Sequence, residues 1–228
     1  MKSFGIVEKK IKETDFFLEQ LANSKNFLSD VQYYFSAFLS ASRSITFALQ
    51  SSISDIEEFK EWYEERQSEL KNNDLARYFV EVRNLSQHVG YYPISSVLYT
   101  KGKVVYYFDH FLEDEIKNSI PKEDVFTACK KYFVLLLKMI QDCFRKFGHI
   151  IDPVQYFVYN ITEAGKPLED IEEELGFPRG WTKIKGIPEE ERIRMLRREF
   201  EKDVTIDYVF EKYLGTDRFG KNTNATNF

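Results

Sequence analysis

The chain has 228 residues, of which 43% are hydrophobic and 30% are charged, and its formal net charge is −5 at pH 7. This composition is typical of a soluble globular protein and excludes an intrinsically disordered chain. The longest apolar run, YFVLLLKMI, is too short to cross a bilayer, and the first residues lack the pattern of a signal peptide. We therefore expect a cytoplasmic protein with one substantial core and an extension.

The first two predicted helices lie between residues 12 and 50. A short helix is expected over residues 12–22. A longer one is expected over residues 26–50, because apolar side chains recur there at the three-and-four spacing of one helix face. Small residues are interleaved through this second helix and would let another helix pack closely. Arg43 also lies on it and could face either a cleft or a carboxylate.

The next two predicted helices cover residues 54–71 and 74–89. The sequence SDIE at the start of the third helix has the spacing of a capping box, which predicts that the helix begins there. Asp74 is a favourable N-cap for the fourth helix, and Gly90 is expected to end it.

The pattern changes beyond the fourth helix, where SSVLYTKGKVVYYF contains two β-branched and aromatic runs around a Lys-Gly turn. This pattern predicts a β-hairpin inserted at about residues 95–108. Helical spacing returns over residues 122–147, with Gly148 as the expected stop. Cys129 and Cys143 lie on this helix. At a rise of about 1.5 Å per residue they are too far apart for a disulfide, and both are expected to be reduced.

The chain beyond Asp152 is more polar and is interrupted by glycines and prolines. Short helices are expected near residues 168–175, 189–202 and 205–214. The last residues, 215–228, have no apolar period, which predicts a disordered tail.

Together these elements predict a mainly α fold, with an antiparallel helical bundle, an inserted β-hairpin and a small helical C-terminal extension. The bundle is expected to occupy residues 1–148, the extension residues 149–214 and the tail residues 215–228. An antiparallel bundle is the most economical arrangement because four or five helices precede Gly148.

A short motif near the end of the fourth helix indicates a function. In RNLSQH, an arginine is followed directly by a polar residue, and a histidine stands five positions after the arginine. The motif resembles the R-x(4–6)-H signature of the HEPN superfamily, and the resemblance covers about residues 12–148. It implies a compact helical bundle, often a metal-independent ribonuclease of toxin–antitoxin, abortive-infection or CRISPR systems. The hairpin and the extension make this chain larger than the minimal family toxins, and some members of the family only bind.

Arg83, Asn84 and His88 match the motif and are the candidate catalytic residues. His88 would act as general base or acid, Arg83 would stabilise phosphate charge, and Asn84 would orient His88 or the phosphate. RNA supplies its own nucleophile, the 2′-hydroxyl, so neither a metal nor a cofactor is expected. Residues five apart on a helix differ in direction by about 140°, so Arg83 and His88 do not point to one place. Two helices set across a twofold axis would assemble the cleft, as in the family's ribonucleases, which predicts a homodimer.

The negative net charge opposes RNA binding, so any affinity for RNA must be local. A basic excess lies within residues 179–198. The residues expected to contact nucleic acid are Arg179, Trp181, Lys183, Lys185, Arg194, Arg197 and Arg198. The alternative interpretation of this segment is a solvated amphipathic helix.

Two classes of function remain open from the sequence. The first is a homodimeric endoribonuclease of defence or toxin–antitoxin biology, with RNA and an antitoxin-like protein as candidate partners. The second is a non-catalytic helical module that binds a nucleotide, an RNA or a protein. The other histidines, His110 and His149, are expected to be structural, and no membrane association is expected.

Overall fold

The computed structural model describes residues 1–24, 28–90, 92–100, 103–109, 120–202 and 204–222. These residues are mainly helical, which confirms the predicted fold class at that level. The helices within the described ranges are α1 (Gly5–Asn23), α2 (Leu28–Ile53), α3 (Phe59–Asn72), α4 (Asp74–Val89), α5 (Val125–Ile151), α6 (Pro153–Thr162), α7 (Leu168–Glu174), α8 (Glu189–Glu201) and α9 (Asp207–Leu214). None of these helices has both the length and the hydropathy that crossing a bilayer requires.

Two strands, β1 (Ile94–Thr100) and β2 (Lys103–Phe108), pair in antiparallel register. The pairing sets Tyr99 opposite Val104, and its register shifts between Ile94 and Ser96. The predicted Lys-Gly turn at residues 101–102 lies outside the described residues, as does His110.

The chain divides into two compact units. The N-terminal unit comprises Gly5–Met139, and the C-terminal unit comprises Met1–Phe4 together with Ile140–Phe228. The division falls inside α5, whereas the sequence predicts a boundary after residue 148. The reason is that α5 continues as one helix through both units.

The N-terminal unit has a core built largely from aromatic rings. In this unit α2 packs against α1 and α4, and α3 packs against α4. The ring of Phe79 stacks on Tyr132, with centroids 4.5 Å apart, and meets Phe35 and Phe38 edge-on. Fully burying such a side chain stabilises a fold by about 1.5–3 kcal/mol, so these rings fix the position of α4.

The start of α3 differs from the prediction, because the helix begins at Phe59 and not at Ser54. The Ser54 N–H donates to the carbonyl of Gln50 at 3.0 Å, and the Phe59 N–H donates to the carbonyl of Ile56 at 3.0 Å. The residues between α2 and α3 therefore form turns. Phe59 is buried with its ring stacked on Tyr63, and this burial determines where α3 begins.

The bounds of α4 are those that the sequence predicts, but its cap is one residue earlier. The Asn73 side chain accepts a hydrogen bond from the Ala76 N–H at 3.0 Å, so Asn73 is the N-cap instead of Asp74. Gly90 follows the helix in the left-handed conformation, with a φ of 69°. Glycine adopts this conformation without strain, and it ends α4 as expected.

Gly148 lies inside α5, although the sequence predicts a helix stop there. A Cβ atom at this position would overlap the side chain of Gln155, so the glycine permits close approach of α6. The helix α6 was not predicted. Asp152 caps it by accepting from the Gln155 N–H at 2.9 Å, and Pro153 occupies its first turn.

The C-terminal strap, residues 215–222, is held in place where the sequence predicts a disordered tail. Arg218 is only 5% exposed, and its Nε donates to the Asp152 carboxylate at 2.6 Å. A second guanidinium nitrogen pairs with Asp207. On the same strap, Gln141 of α5 donates to the carbonyl of Asp217 at 2.9 Å. These polar contacts follow no periodic sequence pattern, which is why they escape prediction; residues 223–228 lie outside the described ranges.

Candidate functional site

Arg83, Asn84 and His88, the candidate catalytic residues of the RNLSQH motif, lie in the last two turns of α4. Asn84 and His88 are exposed and four residues apart, so they share one face of the helix. Arg83 is half-buried, and its Nη1 donates to Asn84 Oδ1 at 3.3 Å. The Arg83 Nε is buried and makes no hydrogen bond to any residue that the structure describes. The structure thus brings Arg83 and Asn84 together and places His88 one turn away on the Asn84 face.

The His88 imidazole is open to solvent at the C-terminal end of α4. Within the part of the chain that the structure describes, neither of its ring nitrogens has a hydrogen-bond or ion-pair partner. The imidazole is therefore accessible to a molecule that approaches the end of α4.

The end of α4 is joined to α2 beside the motif. Gln87 Nε2 donates to Ser40 Oγ at 3.4 Å, and Ser40 belongs to the small residues that were expected to allow close helix packing. Ser86 is buried, and its hydroxyl donates to the Arg83 carbonyl at 2.9 Å. These bonds fix the backbone that carries the motif and leave Asn84 and His88 facing outward.

The residues predicted to contact nucleic acid lie on α8 and on the loop that precedes it. Arg179, Arg194 and Arg197 are already engaged with carboxylates. Their partners are Asp170 and Glu173 for Arg179, Glu191 for Arg194, and Glu201 for Arg197. In contrast, Lys183, Lys185 and Arg198 are exposed, and no ion pair involving them is found among the described residues. The positive charge free to meet a phosphate is therefore smaller than the sequence suggests.

Trp181 projects from the same loop. Its indole stacks on Phe177, with ring centroids 4.1 Å apart and planes 8° apart, and the residue remains 41% exposed. The stack orients the indole and leaves part of it available to a nucleic-acid base.

The loop that carries Trp181 is held by a buried carboxylate that sequence reasoning missed. Glu172 is fully buried and accepts hydrogen bonds from the backbone N–H groups of Gly180, Trp181 and Thr182 at 2.5, 3.1 and 2.8 Å. The Thr182 hydroxyl donates to the same carboxylate, and the guanidinium of Arg192 lies 3.6 Å from it. In the sequence Glu172 is one acid within LEDIEEE, and nothing there distinguishes it from its exposed neighbours.

The surroundings of Glu172 lower the pKa of its carboxyl group. Burial alone would raise that pKa, but the hydrogen bonds from Thr182 and Gly180 and the charge of Arg192 outweigh it. The folded pKa is thus below the ordinary value of 4.5. The stability that this carboxylate contributes is complete above that ordinary value and is lost as the pH falls through the lower folded pKa.

Replacing Glu172→Gln is expected to lower the free energy of unfolding at pH 7 by about 2–3 kcal/mol. The neutral amide is a weaker acceptor for the loop N–H groups and adds a buried donor of its own. The difference between variant and wild type should shrink as the pH falls from 7 to values below the ordinary carboxyl pKa of 4.5. Urea unfolding at several pH values measures both effects, and Glu173→Gln, on an exposed neighbour, is the matched control. A constant difference across that pH range would contradict the assignment.

Comparison with known families places the motif inside a described family. Residues 7–149 match the model of the family described as bacteriophage lambda protein ea47. The matched range contains Arg83, Asn84 and His88, whereas the basic segment at 179–198 lies beyond it. No curated protein and no solved structure matches the chain. Because the match covers more than half of the sequence, this protein belongs to the bacteriophage lambda ea47 family.

Proposed function

We propose that this protein is a metal-independent endoribonuclease of the HEPN type that acts as a homodimer in defence or toxin–antitoxin biology. The observation that carries the proposal is the exposure of Asn84 and His88 on one face at the end of α4, with the Arg83 guanidinium hydrogen-bonded to Asn84. In this proposal the helices before Gly148 form an antiparallel bundle, with β1 and β2 as an inserted hairpin.

The proposed reaction cleaves RNA through its own 2′-hydroxyl. His88 accepts the proton of that hydroxyl as a bond forms between the 2′-oxygen and phosphorus. The bond from phosphorus to the 5′-oxygen breaks, and the protonated His88 of the second copy donates a proton to that oxygen. Arg83 stabilises the added charge on the phosphorane, and Asn84 holds the guanidinium in place. The products are a 2′,3′-cyclic phosphate and a 5′-hydroxyl.

The directions of the side chains support a dimer. Arg83 and His88 of one helix are about 140° apart, and the structure places Arg83 half-buried and His88 exposed. Two α4 ends set together would bring Arg83 and the His88 side chains of both copies into one cleft.

The test of this function is cleavage of a varied RNA pool by the purified protein in EDTA. Cleavage that leaves 2′,3′-cyclic phosphate ends, is absent in His88→Ala and comes from a dimer by light scattering would support it. A well-folded wild-type dimer that leaves the pool intact with and without added metal would refute it.

A second candidate function is a non-catalytic module that binds a nucleotide, an RNA or an antitoxin-like protein. It is favoured by one observation: the Arg83 guanidinium is partly buried and bonded to its own neighbour Asn84. In that case, substitutions at Arg83 or His88 would change dimerisation or partner affinity and leave no cleavage to measure.

For RNA binding, we expect the largest contribution from Lys183, Lys185 and Arg198 of the basic segment at 179–198, which form no ion pair with any described residue. The combined substitution Lys183→Gln, Lys185→Gln and Arg198→Gln should weaken RNA association. It should also reduce the steepness of the plot of log affinity against log salt concentration by about 0.7 for each RNA phosphate that the variant no longer neutralises. The matched control is Arg194→Gln with Arg197→Gln, because those guanidinium groups are already paired with carboxylates. Fluorescence anisotropy with labelled single-stranded RNA measures both. Equal losses of affinity in the two variants would show that pairing within the protein does not decide which residues bind.

A further inference from the structure

A cavity of about 210 Å³ opens in the N-terminal unit, among α2, α3, α4 and α5. Its walls are largely apolar and include Tyr63, Val80 and Tyr132. Pockets for drug-sized molecules have volumes of about 300–1,000 Å³, so this one suits a smaller molecule with a single ring.

Arg43 gives the cavity a cation with unused donors. The residue is half-buried and lines the cavity, and its Nη1 donates to Thr46 Oγ1 at 3.3 Å. The guanidinium carbon lies 4.5 Å from the centre of the Phe47 ring. No carboxylate pairs with Arg43 within the described ranges. A guanidinium has five N–H donors, and among the described residues the acceptor for Arg43 is Thr46 alone, so other donors can meet a ligand.

Other charges around the cavity do not cancel that of Arg43. Lys71 and Arg77 also line it, and Arg77 is paired with Asp74. Glu81 is the acidic residue in the lining, and it forms no ion pair with any described residue. The cavity therefore carries a net positive charge, which favours an anion.

Tyr132 adds a neutral donor on the apolar wall. It is 4% exposed, its ring stacks on Phe79, and its hydroxyl makes no hydrogen bond to any residue that the structure describes. Burial raises the pKa of Tyr132 to about 12, although nearby Arg43 opposes the rise. The phenol is therefore protonated at neutral pH and can donate to an anion.

We propose that this cavity binds a small aromatic anion, whose carboxylate or phosphate is held by Arg43 and Tyr132 and whose ring lies against the apolar wall. The site is formed by the first half of α4 and its neighbours, whereas the RNLSQH motif occupies the end of that helix. Ligand binding here does not depend on the proposed ribonuclease activity.

Isothermal titration of the full-length protein tests this proposal with four probes. Phenyl phosphate and phenylacetate are expected to bind saturably, with one site per chain, and their relative affinities distinguish a phosphate from a carboxylate ligand. Phenol, which lacks the charge, and inorganic phosphate, which lacks the ring, should bind much more weakly. Absence of saturable binding by both aromatic anions, or equal binding of inorganic phosphate, would overturn the proposal.

Variants locate the binding in the cavity. Arg43→Gln should weaken the binding of the aromatic anions by about 10–100-fold, as expected for losing a hydrogen bond to a charged group. Lys138→Gln removes one exposed charge from the same unit outside the cavity and should leave affinity unchanged. Tyr132→Phe keeps the ring and the packing and should weaken binding by about fivefold, so the test does not depend on the stability of Arg43→Gln. Wild-type affinity in both cavity variants would show that the anions bind elsewhere.

Discussion

Replacing His88→Ala is expected to slow EDTA-resistant cleavage of RNA by about 10²–10⁴-fold, the usual contribution of a positioned general acid or base. The side chain is exposed and makes no bond within the described residues, so the variant should fold and dimerise like the wild type. Single-turnover cleavage rates measure the loss, and circular dichroism checks the fold. The matched control is His149→Ala, which removes a histidine outside the motif.

The other motif residues should respond in a graded way. Arg83→Ala is expected to slow cleavage by about 10²–10³-fold, because it removes a donor that stabilises transition-state charge. Arg83→Lys should recover only part of the rate, since an ammonium lacks the planar fork of guanidinium. Asn84→Ala should be milder because Asn84 only orients its neighbours. If His88→Ala cleaves RNA at the wild-type rate, His88 does not transfer the proton in the reaction that is measured.

Replacing Arg218→Met is expected to lower the free energy of unfolding by about 3–5 kcal/mol, the cost of removing one partner from a buried ion pair. Asp152 is 1% exposed and would lose the guanidinium that Arg218 now places 2.6 Å away. Asp207 would no longer pair with the same guanidinium. Denaturant unfolding followed by circular dichroism measures the effect.

Two further variants separate the buried charge from general packing. Asp152→Asn combined with Arg218→Met should recover part of the lost stability, because the amide can still cap α6 and the buried charge at residue 152 is removed together with its partner. Arg194→Ala breaks an exposed pair with Glu191 and should lower the free energy of unfolding by at most about 1 kcal/mol. If Arg218→Met and Arg194→Ala destabilise the protein equally, Arg218 does not act as a buried partner.

The sequence predicted those elements that rest on periodic burial or on a local cap. The apolar spacing of residues 74–89 and Gly90 gave α4 its observed bounds. The SDIE pattern predicted a helix start at Ser54, which was wrong. Burial of the Phe59 ring stabilises a start at Phe59 more than a capping box stabilises one at Ser54. Gly148 was interpreted as a stop because the sequence does not show that Gln155 packs against it.

The candidate site was predictable only in part, for the same reason. RNLSQH is contiguous, so its presence on one helix could be inferred, whereas the bond from Arg83 to Asn84 could not. The charges of the α8 segment could be counted, but their carboxylate partners depend on which side chains meet in the fold. Likewise, Glu172 differs from its neighbours only through its bonds to residues 180–182 and its contact with Arg192. Arg43 is distinguished by a cavity whose lining comes from four helices.

The C-terminal strap has a consequence for synthesis of the protein. Two segments from opposite ends of the sequence complete the C-terminal unit: the backbone N–H of Lys2 donates to the carbonyl of Ile150, and the Arg218 guanidinium donates to the Asp152 carboxylate. These segments leave the ribosome at very different times. A nascent chain that has reached α9 still exposes the carboxylate of Asp152 and the surface of α5 that the strap covers. Until residues 216–222 emerge, that half-made unit is a substrate for chaperones and proteases, and its final closure cannot precede their release from the exit tunnel.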